Sequence, residues 1–454
     1  MSIAQTDKII LYDVTRLINR RRAVIPTGID RIDLQLAIAV FERFGPACLP
    51  VVQVGEHTTV MEKERQTIIE MLQGLKSTWF GEGQPNEQVA SRLGWLGVTT
   101  NAGVGAKKVE TEWKKSLSPK TRLLFETGNV CLALNQILGV HRFGAEAPDF
   151  ASANSIVYVN SSHQGVVRTP KALARLAGDR ELKIVAYIHD IMPIEIPEYT
   201  RVDQIVSLKA FLFELMQHPV AFAVNSKATA TSLFAFMTSD ASGEINARNI
   251  AAPQVIYPGV ELINQPSPIE RSDRLNGGAS PSFVILGTVE PRKNHLMLLQ
   301  IWRQLAIEKI EPMPHLHIIG RRGWAIENVT AMLDRCGSIK PHVSEHNDLD
   351  DAEVRRYLRS SRALLFPSFA EGLGLPLVEA AQLGVPVIAS DIPVFREIVA
   401  GGVEFISPLD ALGWNSAIKR ATQIDGELSP PRLRDEFKDW TSQSNMFADF
   451  VGNM

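Results

Sequence analysis

Cysteine is scarce in this chain. Its 454 residues hold three, Cys48, Cys131 and Cys336, too few and too far apart for a disulfide framework or a CxxC zinc site, so they read as reduced thiols. Long apolar runs are missing as well: no stretch approaches the roughly 18 to 20 residues that a spanning helix needs. The opening MSIAQTDKIILYDVTRL reaches Asp13 too soon for a secretory leader, and a cytoplasmic location is the expectation. Charge of one sign is lacking too. The 47 Lys and Arg nearly balance 50 Asp and Glu, leaving a net charge of -3, which gives no global reason to expect a nucleic-acid partner. No GxGxxG opens a helix after a strand, because Gly103-Val104-Gly105 runs into Ala-Lys-Lys, and this disfavours a dinucleotide-dependent dehydrogenase. Short-period repeats and low-complexity tracts are absent.

What the chain does have is a recurring pattern of short apolar, β-rich runs separated by lengths that suit a helix. Strands are expected at 8–14, 49–54, 122–127, 155–160, 183–189, 221–226 and 254–259, then at 283–288, 315–320, 363–368, 386–390 and 404–408. Near-continuous apolar strands of this kind belong to parallel sheets covered on both faces. The expected fold class is therefore α/β, with two Rossmann-like doubly wound parallel sheets facing a cleft. Residues 262–282, LINQPSPIERSDRLNGGASPS, carry Pro, Ser, Gly and Asn without apolar periodicity and read as the linker. That division gives a first domain over 1–265, with an irregular insertion at about 55–120, a second over 266–434, and a closing helical segment over 435–454. In open α/β sheets ligands bind beyond the carboxyl ends of the strands, so polar residues just after strands carry the functional argument.

Two places stand out. After FVILGT comes Glu290-Pro291-Arg292-Lys293-Asn294 and then a helical run. Adjacent cations at a strand end can clamp a diphosphate, Arg292 as a planar fork and Lys293 as a point charge; the bland alternative is a solvated basic turn. Residues 366–384, FPSFAEGLGLPLVEAAQLG, place Glu371, Gly372, Leu373 and Gly374 in a loop and open a helix near Leu375 or Pro376 that carries Glu379. Glycines permit close backbone approach, and the free N–H groups of a helix start suit a phosphate or sugar oxygen. A carboxylate accepts paired hydrogen bonds from vicinal hydroxyls, although Glu379 reads equally well as an offset to the helix dipole.

Glu371 and Glu379, with seven residues between them in PSFAEGLGLPLVEA, resemble the E-x7-E signature of retaining glycosyltransferases of family 4, whose fold is GT-B. GTVEPRKN resembles the basic pair of that family, and IYPGV (256–260), IIGRRGW (318–324) and VIASDIPVFREI (387–398) resemble further segments in the same order. The likeness covers about 282–410 closely and the first half more thinly, and the tail, FKDWTSQSNMFADFV, resembles the family's closing tryptophan-containing helix, which implies a crossing back to the first domain. It implies transfer of a hexosyl unit from a nucleoside diphosphate sugar with retention, without metal or other cofactor. It also implies catalytic positions at Glu371, His189, Arg292 and Lys293, and donor contacts at Gly28, Gly287, Asn347, Asp348, Gly372, Leu373, Gly374, Leu375 and Glu379. Pro26-Thr27-Gly28-Ile29-Asp30-Arg31 resembles the family's Gly-containing loop, and His189-Asp190-Ile191-Met192-Pro193 the HD-x-x-P segment of members that often transfer mannose. His189 is then a donor-sugar contact; by itself it reads as a satisfied strand-end histidine. Acceptor contacts are expected at Asp30, Arg31, Asp190, Ser161 and His163, with Asn160 and Ser162 beside them, and Asn225 and Ser226 mark another polar strand end or a helix cap.

From these contexts GDP-mannose is the expected donor and a saccharide or lipid-linked saccharide of a bacterial surface polysaccharide the expected acceptor. UDP-hexoses, dTDP-rhamnose, a nucleotide-sugar epimerase on the same fold and an inactive sugar-nucleotide scaffold stay open. Asp348-Leu349-Asp350-Asp351 has the spacing of a metal-binding DxD, but a capping turn is the simpler account. Departures from the family pattern are Pro258 before GV and Ala370 before Glu371. Arg16, Arg20, Arg21 and Arg22, and the segment 107–122 with Trp113 and Leu117, suggest peripheral contact with anionic lipid or, equally, solvated helix faces.

Overall fold

The computed structural model describes residues 8–21, 23, 26–54, 57–62, 65–80, 153–163, 173, 177–239, 251–261, 280–423 and 428–454. Among them the first half builds one sheet from β1 (Lys8–Asp13), β2 (Cys48–Val54), β3 (His57–Val60), β4 (Ser155–Asn160), β5 (Glu181–Ile188), β6 (Val220–Val224) and β7 (Gln254–Val255). Their order is β3-β2-β1-β4-β5-β6-β7, and all neighbours are parallel except β2 and β3. The second half uses β8 (Ser282–Leu286), β9 (His315–Ile319), β10 (Val343–His346), β11 (Ala363–Phe366), β12 (Val387–Ser390), β13 (Val399–Gly401), β14 (Val403–Ile406) and β15 (Arg432–Leu433). Six of these form a parallel sheet ordered β10-β9-β8-β11-β12-β14, while β13 and β15 make a small antiparallel ribbon. The same reversal of order at the first strand of each sheet is the topological switch point at which doubly wound folds bind ligands.

The described helices are α1 (Thr15–Arg20), α2 (Gly28–Phe44), α3 (Arg65–Phe80), α4 (Met192–Glu195), α5 (Val202–Met216), α6 (Lys227–Thr238), α7 (His295–Glu308), α8 (Glu327–Arg335), α9 (Asp351–Ser360), α10 (Leu375–Gln382), α11 (Pro393–Ile398), α12 (Ala411–Thr422) and α13 (Trp440–Gly452). They cover both faces of each sheet. Along β1, Ile10 and Tyr12 pack with α2 and α3, and Ile9 and Leu11 pack with α5 and α6, as the two-residue period of a strand requires. In the second sheet Val284 and Phe283 divide in the same way between the α9–α10 layer and the α7–α12 layer. Trp302 and Trp414 fill the latter layer and satisfy their indole N–H groups on the carbonyls of Pro314 and Ser407, at 3.1 and 3.0 Å.

The chain's last helix joins the first domain. Phe447, Ala448 and Val451 of α13 belong to the same core as Ile10 and Leu34, and Lys8 Nζ donates to the Gly452 carbonyl at 2.9 Å. The crossing is tight at Gly259, where any Cβ would collide with Trp440 Cα.

Within the expected insertion in the first domain, residues 57–60 and 65–80 are regular: β3 pairs with β2 and α3 packs into the core. The edge strands β3 and β10, HTTV and VSEH, escape an apolar-run reading because they are short and polar. The expected strand at 122–127, the segment 107–122, Arg22, Cys131 and most of the expected linker, 262–279, lie outside the described residues.

Candidate active site

The basic turn follows β8 directly. Gly287, at φ 128°, leaves the strand, and a single 3-10 turn, Pro291–Lys293, precedes Asn294 in the left-handed region and the start of α7. This geometry folds both cations back over the strand ends. Lys293 is only 6% exposed; its Nζ lies 2.5 Å from Glu371 Oε1 and 4.8 Å from the Phe366 ring centre. Gly287 leaves room for it, since an added Cβ would stand 3.4 Å from Lys293 Cε and Nζ. Arg292 spans two carboxylates, Glu371 Oε2 and Glu290 Oε1, each at 2.7 Å, and donates to the Ala370 carbonyl at 3.0 Å. Ser368 Oγ completes the shell on Glu371 Oε1 at 2.7 Å.

The cations expected to await a diphosphate are thus already engaged with Glu371. Burial alone would raise the Glu371 pKa, but Arg292 and Lys293 outweigh it and hold the carboxyl at about 2. Burial lowers Lys293 from its ordinary range, while Arg292 is held up against burial by Glu371 and Glu290. Arg292, Lys293, Glu371 and Glu290 together carry no net charge.

The second carboxylate sits as the sequence suggests. α10 begins at Leu375 behind Gly374, which takes φ 107° as its N-cap, and Glu379 lies one turn on. Water exclusion raises Glu379 to about 7; Arg31 and Arg355 pull it down, and Asp351 and Glu261 push it up. Leu373 turns inward, 5% exposed among Phe366, Leu377 and Phe395, so only its backbone can serve a ligand. Leu375 reaches across the cleft, and an added Cβ on Gly28 would stand 2.7 Å from its Cδ1. Gly28 is the first residue of α2, whose N-cap Thr27 forms a capping box with Asp30. Two helix starts therefore face each other, which concentrates unpaired N–H groups in one place.

The first domain meets the Glu371 loop through the ends of β5 and β6. A Cβ at Gly372 would collide with the His189 carbonyl oxygen and stand 3.0 Å from Asp190 Cβ. The Gly372 carbonyl accepts from Ser226 Oγ at 2.7 Å and Thr229 Oγ1 at 3.2 Å, so Ser226 is both the N-cap of α6 and an interdomain contact. Glu397 of α11 accepts from the backbone N–H groups of Lys227 and Ala228, at 2.5 and 3.1 Å, and from Tyr257 Oη at 2.9 Å. Tyr199 stacks on Phe369 with ring centres 4.9 Å apart.

Other expected site residues are placed differently. His189 is buried, and its Nε2 meets the Ser161 carbonyl at 2.7 Å. Its ring is held neutral, at about 4, by burial first and the Arg16 charge second, and among the described residues its Nδ1 finds no partner. His163 Nε2 accepts from the His189 backbone at 2.9 Å, and burial pushes its pKa down. Ser161 Oγ bonds Tyr12 Oη at 2.6 Å and Asp33, while Asn160 donates to Asp13, which also accepts from Tyr158 Oη, and accepts from Ser162 N, so all three strand-end residues are held by buried polar contacts. Asp30 is fully buried, with Arg16 at 2.7 Å and Arg20 at 3.0 Å. Asp30 and Ser161 thus engage their side chains with partners within the first domain, and the largely covered Arg16 and the partly exposed Arg20 both pair with Asp30. Arg21 is 4% exposed and donates to the Ile18 carbonyl. Arg31 reaches Asp351 across the cleft. Asp190 lies half-buried beside the cluster, raised to about 6 by burial against the pull of Arg292. Asn347 and Asp348 are exposed after β10. The Asp348–Asp351 string is a capping turn, with Asp350 accepting from Glu353 N at 2.8 Å and Glu353 from Asp350 N at 3.0 Å.

The contacts of Ser226, Glu397 and Asp351 across the cleft carry no sequence signal beyond their caps. Among the described residues no helix is long and apolar enough to cross a membrane.

Comparison with known proteins agrees with this arrangement. Residues 280–423 match the family model of glycosyl transferases group 1. The serotype-specific mannosyltransferase WbdA of Escherichia coli is 27% identical over 274 residues, 58% of this chain and 33% of that protein. The O-antigen chain mannosyltransferase RfbU of Salmonella typhimurium is 33% identical over 112 residues, 25% of this chain and 31% of that protein. The matched segments span about a third of the length of these curated relatives. Among solved structures, sucrose-phosphate synthase from Thermosynechococcus elongatus superposes with a TM-score of 0.51 at 12% identity, over 98% of this chain and 94% of that one. Anabaena Alr3699/HepE in complex with UDP-glucose gives 0.51 at 14%, over 98% and 100%. The chain has the GT-B fold, and its residues 280–423 match the glycosyl transferases group 1 model.

Proposed function

We propose that the protein is a retaining, metal-independent hexosyltransferase that moves mannose from GDP-mannose to a saccharide or lipid-linked saccharide acceptor of a bacterial surface polysaccharide. The observation that carries the reading is the buried Arg292–Glu371–Lys293 cluster, set at the mouth of α10 opposite Gly28 and the His189–Asp190 turn. The mannosyltransferase names of WbdA and RfbU support the choice of sugar.

In this account the donor diphosphate lies between the starts of α2 and α10, contacted by the backbone at Gly28 and at Gly372, Leu373, Gly374 and Leu375. It takes over part of the Arg292 and Lys293 charge now held by Glu371, and Gly287 keeps Lys293 in reach. Glu371, freed in part, accepts hydrogen bonds from sugar hydroxyls, Glu379 accepts them from the ribose, and Asn347 and Asp348 border the base. His189 and Asp190 wall the sugar side, with His189 acting through its backbone and its buried ring as a fixed post. Acceptor contacts remain with Asp190 and the neighbourhood of His163 and Arg31.

No side chain among the described residues is assigned as the nucleophile. The acceptor hydroxyl oxygen then bonds to the anomeric carbon on the face that the diphosphate leaves, the carbon–oxygen bond to the diphosphate breaks, and the hydroxyl proton passes to a diphosphate oxygen. Cations and N–H dipoles at the leaving group supply most of the barrier reduction.

The test is a panel of GDP, UDP and dTDP sugars with EDTA present, scoring nucleoside diphosphate release by the wild type and by Glu371→Ala. Release from GDP-mannose that disappears in the variant is the expected result. Release from a UDP-hexose or dTDP-rhamnose instead would replace the donor; an epimerised donor without release would indicate an epimerase; no turnover with any donor and crude acceptor would indicate a scaffold.

A further inference from the structure

A cleft lies between α2, α3 and the start of α13 on one side and α9 and α10 on the other. Its walls bring together three carboxylates, Glu261, Asp351 and Glu379, and two cations, Arg31 and Arg355. Arg355 Nη1 stands 3.8 Å from Glu261 Oε2, a loose pair. Arg31 is held far more tightly, and at both ends. On its own side one guanidinium nitrogen donates to the Trp79 carbonyl at 3.4 Å and the group lies 5.5 Å from the Phe80 ring centre. On the opposite side Nη2 meets Asp351 Oδ2 at 2.5 Å, with the Arg31 side chain 15% exposed and Asp351 34%. Aromatic face, carbonyl and carboxylate together fix a planar guanidinium in a way that an ammonium would not match.

We propose that Arg31 is a strap across the nucleoside end of the cleft: through Asp351 it ties α2 to α9, and it is the cation that the first domain sets against Glu379. The inference rests on the reading of Glu379 as the hydroxyl-binding carboxylate of the donor groove. It moves Arg31 from the acceptor side to donor recognition and makes domain closure and nucleoside binding share one residue.

The electrostatics follow from the same placement. The charged groups facing Glu379 are Arg31 on α2, Asp351 and Arg355 on α9, and Glu261 beyond β7. Burial raises Glu379 to about 7, and Arg31 is the first of the charges that oppose it. Without Arg31 the carboxyl stays protonated to higher pH and loses one acceptor for a ribose hydroxyl. Without the Asp351 charge, Glu379 ionises at lower pH.

The experiment has two arms on the full chain. Small-angle scattering of the ligand-free protein reads closure, and calorimetric titration with GDP, UDP and dTDP between pH 6 and 9 reads nucleoside binding. Arg31→Ala is expected to enlarge the scattering radius, to weaken the nucleoside diphosphate that binds by about tenfold at pH 7.5, and to move the pH midpoint of binding upward. Asp351→Asn is expected to loosen closure as well but to move the midpoint downward, a split that a merely structural role would not produce. An unchanged radius together with an unchanged midpoint in Arg31→Ala would overturn the proposal. If no nucleoside diphosphate binds the wild type, the donor reading fails, and the scattering arm decides the strap by itself.

Discussion

At Lys293 an ammonium sits almost out of water, against one carboxylate oxygen and the face of Phe366. Such a group is costly to bury unless it is paired, and the pairing with Glu371 over 78 residues of sequence is what makes the basic turn a site rather than a solvated loop. The residue types were legible from sequence: adjacent cations after one strand, a carboxylate and glycines after another. Their mutual neutralisation was not, because no spacing rule reports a contact between two loops. Near the start, Arg16 and Arg20 pair with the buried Asp30, a contact that the run of arginines alone does not report. His189 carries a prediction at this scale. Burial holds its folded pKa at about 4 against 6.5, equivalent to about 3 kcal/mol. Because the folded value is the lower one, this contribution is complete above pH 6.5 and is lost as pH falls through 4. Denaturation measured between pH 7 and 4.5 should therefore show a smaller loss of stability in His189→Asn than in the wild type, whatever the variant's starting stability. Equal slopes would show that the ring is not held neutral by the fold.

Among the elements, those with apolar runs or caps were readable in advance. The start of α10 at Leu375 follows from a loop glycine in front of a Pro-containing first turn, whereas α2, capped by Thr27 with Asp30, starts inside the segment that resembles a Gly-containing loop. β3 and β10 were not, since an edge strand can form from polar residues once a neighbour offers its hydrogen bonds. The docking of α13 was legible only as a resemblance; its physical requirement is Gly259, where backbone meets backbone. Gly259→Ala should cost roughly 2 to 3 kcal/mol, because Trp440 Cα cannot rotate away as a side-chain end could. Guanidinium unfolding would record it, with early proteolytic release of the last helix. A variant as stable as the wild type would mean that the crossing is looser than it stands here.

Across the molecule, two sheets of the same order face each other, and the segments that resemble known motifs are the ones that line the gap between them. Ser226 and Thr229 on the Gly372 carbonyl, Glu397 on the first N–H groups of α6, and Arg31 on Asp351 hold the domains together around the Glu371 loop. Each contact is short and polar, the kind that can be exchanged for contacts to a ligand as domains move. The acceptor side is the least legible part, because Asp30 and Ser161 engage their side chains with partners within the first domain while Arg31 and Asp190 face the cleft. The central claim is that the Arg292–Lys293–Glu371 cluster receives a nucleoside diphosphate, and calorimetric binding of GDP, with UDP and dTDP in parallel, to the wild type and to Lys293→Ala tests it most directly. The account predicts binding to the wild type that weakens by about a hundredfold in a variant of intact fold; equal affinity in the two proteins would contradict it.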